Sequence, residues 1–185
     1  DWPEAEYISS EQLARLTKFS SALVRRDLAY FGQFGTPGKG YNTVELKKEI
    51  LRILGLSSER KVALVGVGNL GSALLAYKGF EKNGFRITLA FDHDLRKVGK
   101  NLEGVVIRDV SEIKDIIPKE SIQMAIVTVP AGEAQGVINL LIRAGVKAIL
   151  NFAPIRLQAP EEVEILNIDL TIELERLAYF LASGI

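Results

Sequence analysis

The sequence predicts an α/β protein built on a doubly wound parallel sheet, preceded by a smaller, mainly helical segment. Apolar runs of strand length alternate with helical segments between Lys61 and Leu150. Such alternation is typical of parallel strands joined by right-handed crossovers. The second observation is the run Gly66-Val67-Gly68-Asn69-Leu70-Gly71, which separates the first of these strands from the first helix. Together they predict a twisted sheet with helices on both faces.

The overall composition is that of an ordinary globular chain of one or two domains. Its 185 residues are 48% hydrophobic and 25% charged, and they include no cysteine. The lack of cysteine excludes disulfides and cysteine-ligated zinc. The formal net charge is zero, so no global basic field indicates a nucleic-acid partner. With no apolar run of about 18 residues and no signal-peptide pattern, we expect a cytoplasmic protein without a membrane span.

The glycine run lies in the context of a dinucleotide-binding fingerprint. The apolar run Lys61–Val65 precedes it, and a second run, Ile87–Phe91, ends at Asp92, 21 residues after Gly71. This spacing is typical of a Rossmann-type strand–helix–strand unit that binds a dinucleotide. In such a unit, Asp92 is placed to accept hydrogen bonds from the adenosine ribose hydroxyls, which favours NAD over NADP.

Each glycine has a separate role in this prediction. Gly66 permits the tight turn, Gly68 lets the backbone approach a pyrophosphate, and Gly71 lets the helix pack closely on the sheet. The helix N-terminus contributes N–H groups and the positive end of the helix dipole. The alternative is a glycine turn that serves only close packing.

The later elements extend the sheet. Its carboxyl edge, where ligands bind in such folds, carries the loops at Gly66, Asp92, Pro130 and Asn151. For the loops at Pro130 and Asn151, ordinary strand termination is the alternative. The predicted elements are a strand over Gly104–Ile107, a helix over Val110–Ile117 ended by Pro118, a strand over Ser121–Val129, a helix over Gly132–Ala144 and a strand over Val146–Leu150.

The segment from residue 9 to residue 52 carries eight basic and four acidic side chains, a local charge of +4. A capping box at Ser9 opens a short helix with Leu13 and Leu16 on its inner side, and a second helix covers Ser21–Phe31. The second helix places Arg26 opposite its apolar stripe, with Arg25 beside it, which suits a helix that enters a major groove.

A glycine-rich hairpin follows over Gly32–Tyr41, and then a helix over Thr43–Leu54 capped by Asn42. This order indicates a winged helix-turn-helix, in which Lys39 is placed to enter a minor groove and Tyr41 to bond a phosphate. A winged helix normally has one more helix in front, which we expect to be missing here. The alternative is a small helical cap on the nucleotide-binding domain.

The last segment predicts a helix from Asp169 onward. Its apolar stripe must be buried on its own domain or on a partner subunit, and the sequence alone does not decide between them. The stripe consists of Leu170, Leu174, Leu177, Ala178 and Leu181.

Several motifs, in the same order along the chain, resemble the redox-sensing transcriptional repressor family Rex. The resemblance implies a homodimer that senses the NADH/NAD+ ratio, in which NADH releases palindromic operator DNA and NAD+ competes without releasing it. The motifs are Val24–Gly32, Gly38–Tyr41, Ile53–Leu56, Gly66–Gly71, Thr128–Ala131 and Leu150–Pro154.

The resemblance also implies roles for individual residues. The DNA-binding residues are those of the recognition helix and wing: Ser21, Arg25, Arg26, Lys39 and Tyr41. The cofactor-binding residues are Gly66, Val67, Gly68, Asn69, Leu70, Gly71, Asp92, Pro130, Asn151, Phe152, Ala153, Pro154 and Asp169. Asp169 matches an acid before a C-terminal helix that the family exchanges between subunits. The predicted domains are therefore residues 1–56 (winged helix), 57–167 (Rossmann-type) and 168–185 (dimerisation helix).

An NAD-dependent oxidoreductase is one alternative, because many dinucleotide folds belong to dehydrogenases. Hydride transfer usually needs a general acid–base beside the nicotinamide. The only histidine, His93, follows Asp92 and belongs at the adenosine end. We therefore expect no catalytic residue and no metal site. A CoA-binding module of an acyl-CoA ligase is a further alternative, against which Asp92 and the basic first segment argue.

Overall fold

The computed structural model describes residues 6–183, which form two compact units, one ending at Ser58 and the other beginning at Glu59. The predicted first domain starts at residue 1, and its residues 1–5 lie outside the described part of the chain. The same holds for residues 184–185 of the predicted dimerisation helix.

The first unit is a three-helix arrangement with a small antiparallel sheet. Strand order is β1-β3-β2, and the hairpin β2–β3 is the predicted wing. Ile8, Leu13 and Leu46 form its buried core. The elements are β1 (Tyr7–Ile8), α1 (Ser10–Thr17), α2 (Ser21–Phe31), β2 (Gly35–Thr36), β3 (Gly40–Asn42) and α3 (Thr43–Ile53).

Local capping sets the helix boundaries of this unit. The predicted capping box is present, since the Gln12 N–H donates to Ser9 Oγ and the Ser9 N–H donates to Gln12 Oε1. Asn42 accepts from two N–H groups of the first turn of α3, as its position predicts. The prediction that Leu16 faces inward is wrong. Leu16 is exposed, because the short helix turns only Leu13 toward Ile8 and Leu46.

Gly40 is required where the wing meets β1. Its φ is +92°, and a Cβ there would lie 2.6 Å from the Ile8 carbonyl oxygen. A side chain at this position would therefore push β1 away from β3.

The second unit is the predicted doubly wound sheet, with strand order β10-β9-β8-β4-β5-β7-β6. All pairs are parallel except β6 with β7. Its elements are β4 (Arg60–Val65), α4 (Asn69–Ala76), α5 (Gly79–Lys82), β5 (Phe85–Asp92), β6 (Asn101–Leu102), β7 (Val105–Asp109), a 3-10 turn (Val110–Glu112), α6 (Ile113–Lys119), β8 (Met124–Val127), α7 (Ala131–Arg143), β9 (Ala148–Asn151), β10 (Glu164–Asn167) and α8 (Leu170–Ser183).

Two apolar layers cover the two faces of this sheet. On one face Val65, Phe91 and Val127 pack against α6 and α7. On the other, Leu64 and Ala90 pack with Leu75 of α4. Neighbouring residues of one strand thus serve opposite faces, as the pleat of a strand requires.

The predicted elements differ from the observed ones at most boundaries, and three differences stand out. The strand predicted over Ser121–Val129 is shorter, at Met124–Val127. Helix α6 continues past Pro118 to Lys119 instead of ending at the proline. The edge strands β6 and β10 are not predicted from the sequence.

Asn151 attaches the edge strand β10 to the sheet and closes the loop after β9. It is fully buried, and its Nδ2 donates to the Ala153 carbonyl and to Asn167 Oδ1, both at 2.9 Å. Its Oδ1 accepts from the Ala153 N–H at 3.0 Å. Its carbonyl accepts from the Ile168 N–H at 2.8 Å. This one side chain therefore fixes the chain on both sides of the β9–β10 pair.

Helix α8 is exposed along its whole described length, including its leucines. Among residues 6–183, no helix has the length and apolar character needed to cross a membrane.

Replacing Asn151 with Ala is expected to lower the free energy of unfolding by about 1–3 kcal/mol, because buried partners at Ala153 and Asn167 lose their hydrogen bonds. Urea denaturation followed by circular dichroism measures this change. Asn139→Ala, on the exposed side of α7, is the matched control and should have little effect. Equal losses in the two variants would contradict the structural role of Asn151.

Candidate dinucleotide site and nucleic-acid interface

The sheet register brings most predicted cofactor residues to one edge. Val65 is aligned with Phe91 on one side and with Val127 on the other, and Val127 is aligned with Asn151. The chain moves outward from β4 through β5 to β7, and it then returns to β8 on the other side of β4. The switch point of the fold therefore lies between β4 and β8, where α/β proteins bind their ligands.

The glycine loop is shaped by close backbone contacts. Gly66 has a φ of +97°, and a Cβ there would lie 2.8 Å from the Thr128 carbonyl oxygen. A Cβ on Gly71 would lie 2.0 Å from the Gly66 carbonyl oxygen. Thr128 Oγ1 also donates to that carbonyl, at 2.6 Å. Gly66 and Gly71 are thus needed by the fold itself, as predicted for the turn and for the helix packing.

Gly68 differs from the other two glycines. Its φ is −83°, which any residue adopts, and a Cβ built on it meets no protein atom within 4 Å. It precedes α4, which begins without a side-chain cap, and the first N–H groups of a helix have no acceptor inside the helix. Open space beside such N–H groups suits a pyrophosphate. Neither the backbone conformation nor the packing of the protein requires a glycine at position 68. A dinucleotide bound beside the loop would require one, so the loop fits this kind of ligand.

The other residues of the glycine loop differ in their burial. Val67 is buried, and its N–H donates to Asp92 Oδ2 at 2.8 Å. Asn69 and Leu70 are exposed in the first turn of α4. The loop thus combines a side chain anchored in the core with residues open to a ligand.

Asp92 ends β5 at the predicted place, but its carboxylate is already engaged. Besides Val67, Oδ2 accepts from Lys97 Nζ at 2.9 Å, and Oδ1 accepts from the Asp94 N–H at 2.8 Å. Burial raises the pKa of this carboxyl, but the three hydrogen bonds outweigh burial and hold its pKa below the ordinary value. Asp92 is therefore an ionised group that fixes the glycine loop to the end of β5.

Lys97 is a site residue that the sequence reasoning missed. It lies five positions after Asp92, in the stretch between β5 and β6. The available signal was a short, charged stretch in which two acids, Asp92 and Asp94, are followed by two bases, Arg96 and Lys97.

The loops on the other side of the switch point carry few polar side chains. Pro130 precedes α7 and is exposed. The Phe152 N–H donates to the Val127 carbonyl at 2.9 Å, Ala153 is buried and Pro154 is exposed. The amide of Asn151 binds protein groups, so this loop presents mainly apolar surface.

Asp169 follows the edge strand β10, beyond β9. Its Oδ1 accepts from the Thr171 N–H at 2.9 Å, at the start of α8. Through Ile168 and Asn167, this residue is joined to Asn151 and hence to the loop after β9.

His93 follows Asp92, the last residue of β5. Its Nδ1 is 3.5 Å from Glu133 Oε2 and 3.9 Å from Asp92 Oδ1. Glu133 lies in the first turn of α7, so His93 also contacts the helix that follows β8.

In the first unit, Arg25, Lys39 and Tyr41 line one cleft between α1, α2 and the wing. Arg25 Nη1 donates to Ser10 Oγ at 2.8 Å and to Glu11 Oε1 at 3.3 Å. Lys39 Nζ lies 5.6 Å from the centroid of the Tyr7 ring. The charge of Arg25 is thus paired with Glu11, while Lys39 adds positive charge to the same cleft.

The other two predicted DNA-binding residues lie outside that cleft. Arg26 is exposed on α2, and its guanidinium contacts Asp27 Oδ1 at 3.3 Å. Ser21 is the first residue of α2, and the preceding Ser20 caps the helix. Both positions belong to the predicted recognition helix.

Part of the chain matches a family model, and nearly all of it is similar to known proteins. Residues 57–155 match the family model of the CoA binding domain, and all but the first two of them lie in the second unit. The redox-sensing transcriptional repressor Rex of Syntrophobacter fumaroxidans is 47% identical over 182 residues, spanning 98% of this chain and 87% of that protein. That similarity runs through both units.

Two solved structures are similar to the chain over nearly its whole length. RSP in complex with β-NAD+ and operator DNA matches with a TM-score of 0.90 and 36% identity, covering 98% of this chain and 83% of RSP. RSP in complex with β-NADH matches with a TM-score of 0.78 and 35% identity, covering 97% of this chain and 84% of RSP.

The relatives are named as repressors, which confirms the prediction of a regulator and does not favour the oxidoreductase and acyl-CoA ligase alternatives. With nearly half of its residues identical to a curated relative over both units, the chain belongs to the Rex family of redox-sensing transcriptional repressors.

Proposed function

We propose that this chain is a DNA-binding repressor that responds to the NADH/NAD+ ratio and leaves its operator when NADH binds. The observation that carries the proposal is Gly68, the one glycine of the described loop Gly66–Gly71 at which a Cβ would meet no protein atom within 4 Å. RSP, at 35–36% identity, has been crystallised with β-NAD+ and operator DNA and with β-NADH. The family and this loop together support a dinucleotide as the signal.

In this proposal, the pyrophosphate is bound by the loop Gly66–Gly71 and the N-terminus of α4. The adenosine ribose lies toward Asp92, and the nicotinamide lies toward Pro130 and the loop Asn151–Pro154. When bound, the nicotinamide supplies a ring that is neutral in NADH and positively charged in NAD+. Because the flanking loops are mainly apolar, a charge on that ring is poorly solvated there, and a carboxylate such as Asp169 is positioned to respond to it.

The DNA-binding part of the proposal rests on residues 1–56 as a winged-helix domain. Helix α2 presents Arg25 and Arg26, while the wing presents Lys39. Side chains of this kind contact phosphates and the edges of guanine in the major groove. Ser21 and Tyr41 are proposed as further backbone contacts.

The proposed assembly is a homodimer on a palindromic site, held by the dimerisation helix within residues 168–185. All of α8 is exposed, and its leucines form a continuous apolar stripe. The Rossmann-type unit, residues 57–167, has an apolar groove lined by Phe80, Ile87, Ile126, Leu150 and Leu166. The apolar stripe on α8 of a second copy matches the apolar lining of this groove. We place the protein in the cytoplasm, where operator DNA and NADH are both found.

The cofactor proposal is tested by Gly68→Ala. NADH affinity, measured by calorimetry, should fall at least about tenfold, because the new Cβ fills the space next to the helix N-terminus. The melting temperature should stay close to that of the wild type. Gly71→Ala is the contrasting variant, and it should lower the melting temperature, since its Cβ meets the Gly66 carbonyl. Unchanged NADH affinity in a folded Gly68→Ala protein would refute the proposed loop.

The DNA proposal is tested by alanine at Arg25, Arg26 and Lys39, one at a time. The probe is a duplex that the wild-type protein selects from a random-sequence library, and binding is followed by fluorescence anisotropy. Loss of a phosphate contact should weaken all sequences alike and reduce the salt slope by about one, whereas loss of a base contact should relax specificity.

The control for this series is Arg52→Ala, which removes the same charge from α3, where Arg52 pairs with Glu49. It should leave specificity unchanged. The proposed interface is wrong if all three variants bind the selected duplex as the wild type does.

The dimer proposal is tested by Leu177→Glu, which puts a charge in the middle of the apolar stripe. Light scattering coupled to size-exclusion chromatography should report a shift from dimer to monomer. Ser183→Glu adds the same charge on the opposite side of α8 and should leave the dimer intact. A Leu177→Glu protein that remains dimeric would exclude this helix from the interface.

A further inference from the structure

Lys97 contacts the carboxylate that the proposed function assigns to the adenosine ribose. Its Nζ lies 2.9 Å from Asp92 Oδ2, and its side chain is about one-third exposed, at 36%, whereas that of Asp92 is at 4%. The ammonium group therefore lies at the boundary between the buried carboxylate and solvent.

The hydrogen bonds of Asp92 leave little capacity for a ligand. A carboxylate offers about four acceptor positions, two on each oxygen. Oδ2 already accepts from the Val67 N–H and from Lys97, and Oδ1 accepts from the Asp94 N–H. One position on Oδ1 remains, which is enough for one ribose hydroxyl. A ribose presents two hydroxyls, so the second needs another partner.

Lys97 has the capacity that Asp92 lacks. An ammonium group has three donors, and Asp92 uses one of them. The next cation along the chain is differently placed, because Arg96 forms a fork on Asp94 with contacts of 2.8 to 3.2 Å and is largely exposed. Of these two cations, Lys97 is thus the one that contacts Asp92, the proposed ribose acid.

We propose that Lys97 is a specificity-determining residue that binds the adenosine ribose together with Asp92 and carries a latent preference for a 2′-phosphate. The proposal rests on the proposed dinucleotide site. In the wild type, the charge of Asp92 compensates the charge of Lys97, so a 2′-phosphate meets no net attraction. When the carboxylate is neutralised, the ammonium group becomes free to bind a phosphate as a point charge.

The experiment measures the dissociation constants of NADH and NADPH by fluorescence titration of the full chain. The variants are Asp92→Asn, Lys97→Gln and the double variant. We expect Asp92→Asn to lower the ratio of the dissociation constant of NADPH to that of NADH by about tenfold or more. A change of this size corresponds to the gain of one charge interaction. The double variant should lose this gain. Lys97→Gln alone should raise the ratio at least about threefold, since the carboxylate is left uncompensated.

Matched controls separate Lys97 from general charge effects. Asp94→Asn and Arg96→Gln change the net charge by the same amounts within the same loop. Both should leave the ratio within about twofold of the wild type, because neither side chain contacts Asp92. Circular dichroism verifies that each variant is folded. If Asp92→Asn does not fold, the ratio for Lys97→Gln decides the proposal.

The outcomes separate this inference from the proposed function. A wild type that binds neither dinucleotide would refute the proposed site and, with it, the role of Lys97. The inference alone would be overturned in the following case. The wild type binds NADH, and Asp92→Asn gains the same NADPH affinity whether residue 97 is Lys or Gln. An unchanged ratio in Lys97→Gln would overturn it as well.

Discussion

The hydrogen bond from the Val67 N–H to Asp92 Oδ2 is the contact on which the proposed cofactor site depends. It joins the loop after β4 to the end of β5, the two strands that flank the first crossover helix. The bond works because Asp92 stays ionised in a buried position, where Lys97 and the Asp94 N–H compensate for lost water. The acid therefore organises the glycine loop before any ligand arrives.

Asn151 plays the corresponding part on the other side of the switch point. It ties the end of β9 to β10 and to the residues that lead into α8. The two sides differ in chemistry, since one is held by a charged network and the other by neutral amides. A site built this way has charge compensation at its adenosine end and apolar surface near Phe152 and Pro154, where a difference in ring charge has its largest energetic effect.

The sequence predicts well those features that arise from local periodicity. The bounds of α2 match the prediction, and the capping box at Ser9 and the strand ending at Asp92 are found where their patterns indicate. It predicts poorly what depends on the environment. Strand β10 is four residues long and draws its hydrogen bonds from β9, while the contact between Lys97 and Asp92 needs a loop conformation that no residue pattern encodes. The exposure of Leu16 likewise depends on which elements surround a short helix.

The distribution of proton donors also explains why this fold serves a regulator. A dehydrogenase needs an acid–base group beside the carbonyl that it reduces. Here Pro130, Phe152, Ala153 and Pro154 contribute no titratable side chain, while the charged groups around Asp92 and His93 include Glu133 of α7. In the proposed function, a surface of this kind distinguishes a neutral ring from a charged one through solvation. A sensor requires that a form of the cofactor bind two states of the protein with different affinities, because that difference sets how far the equilibrium between the two states shifts.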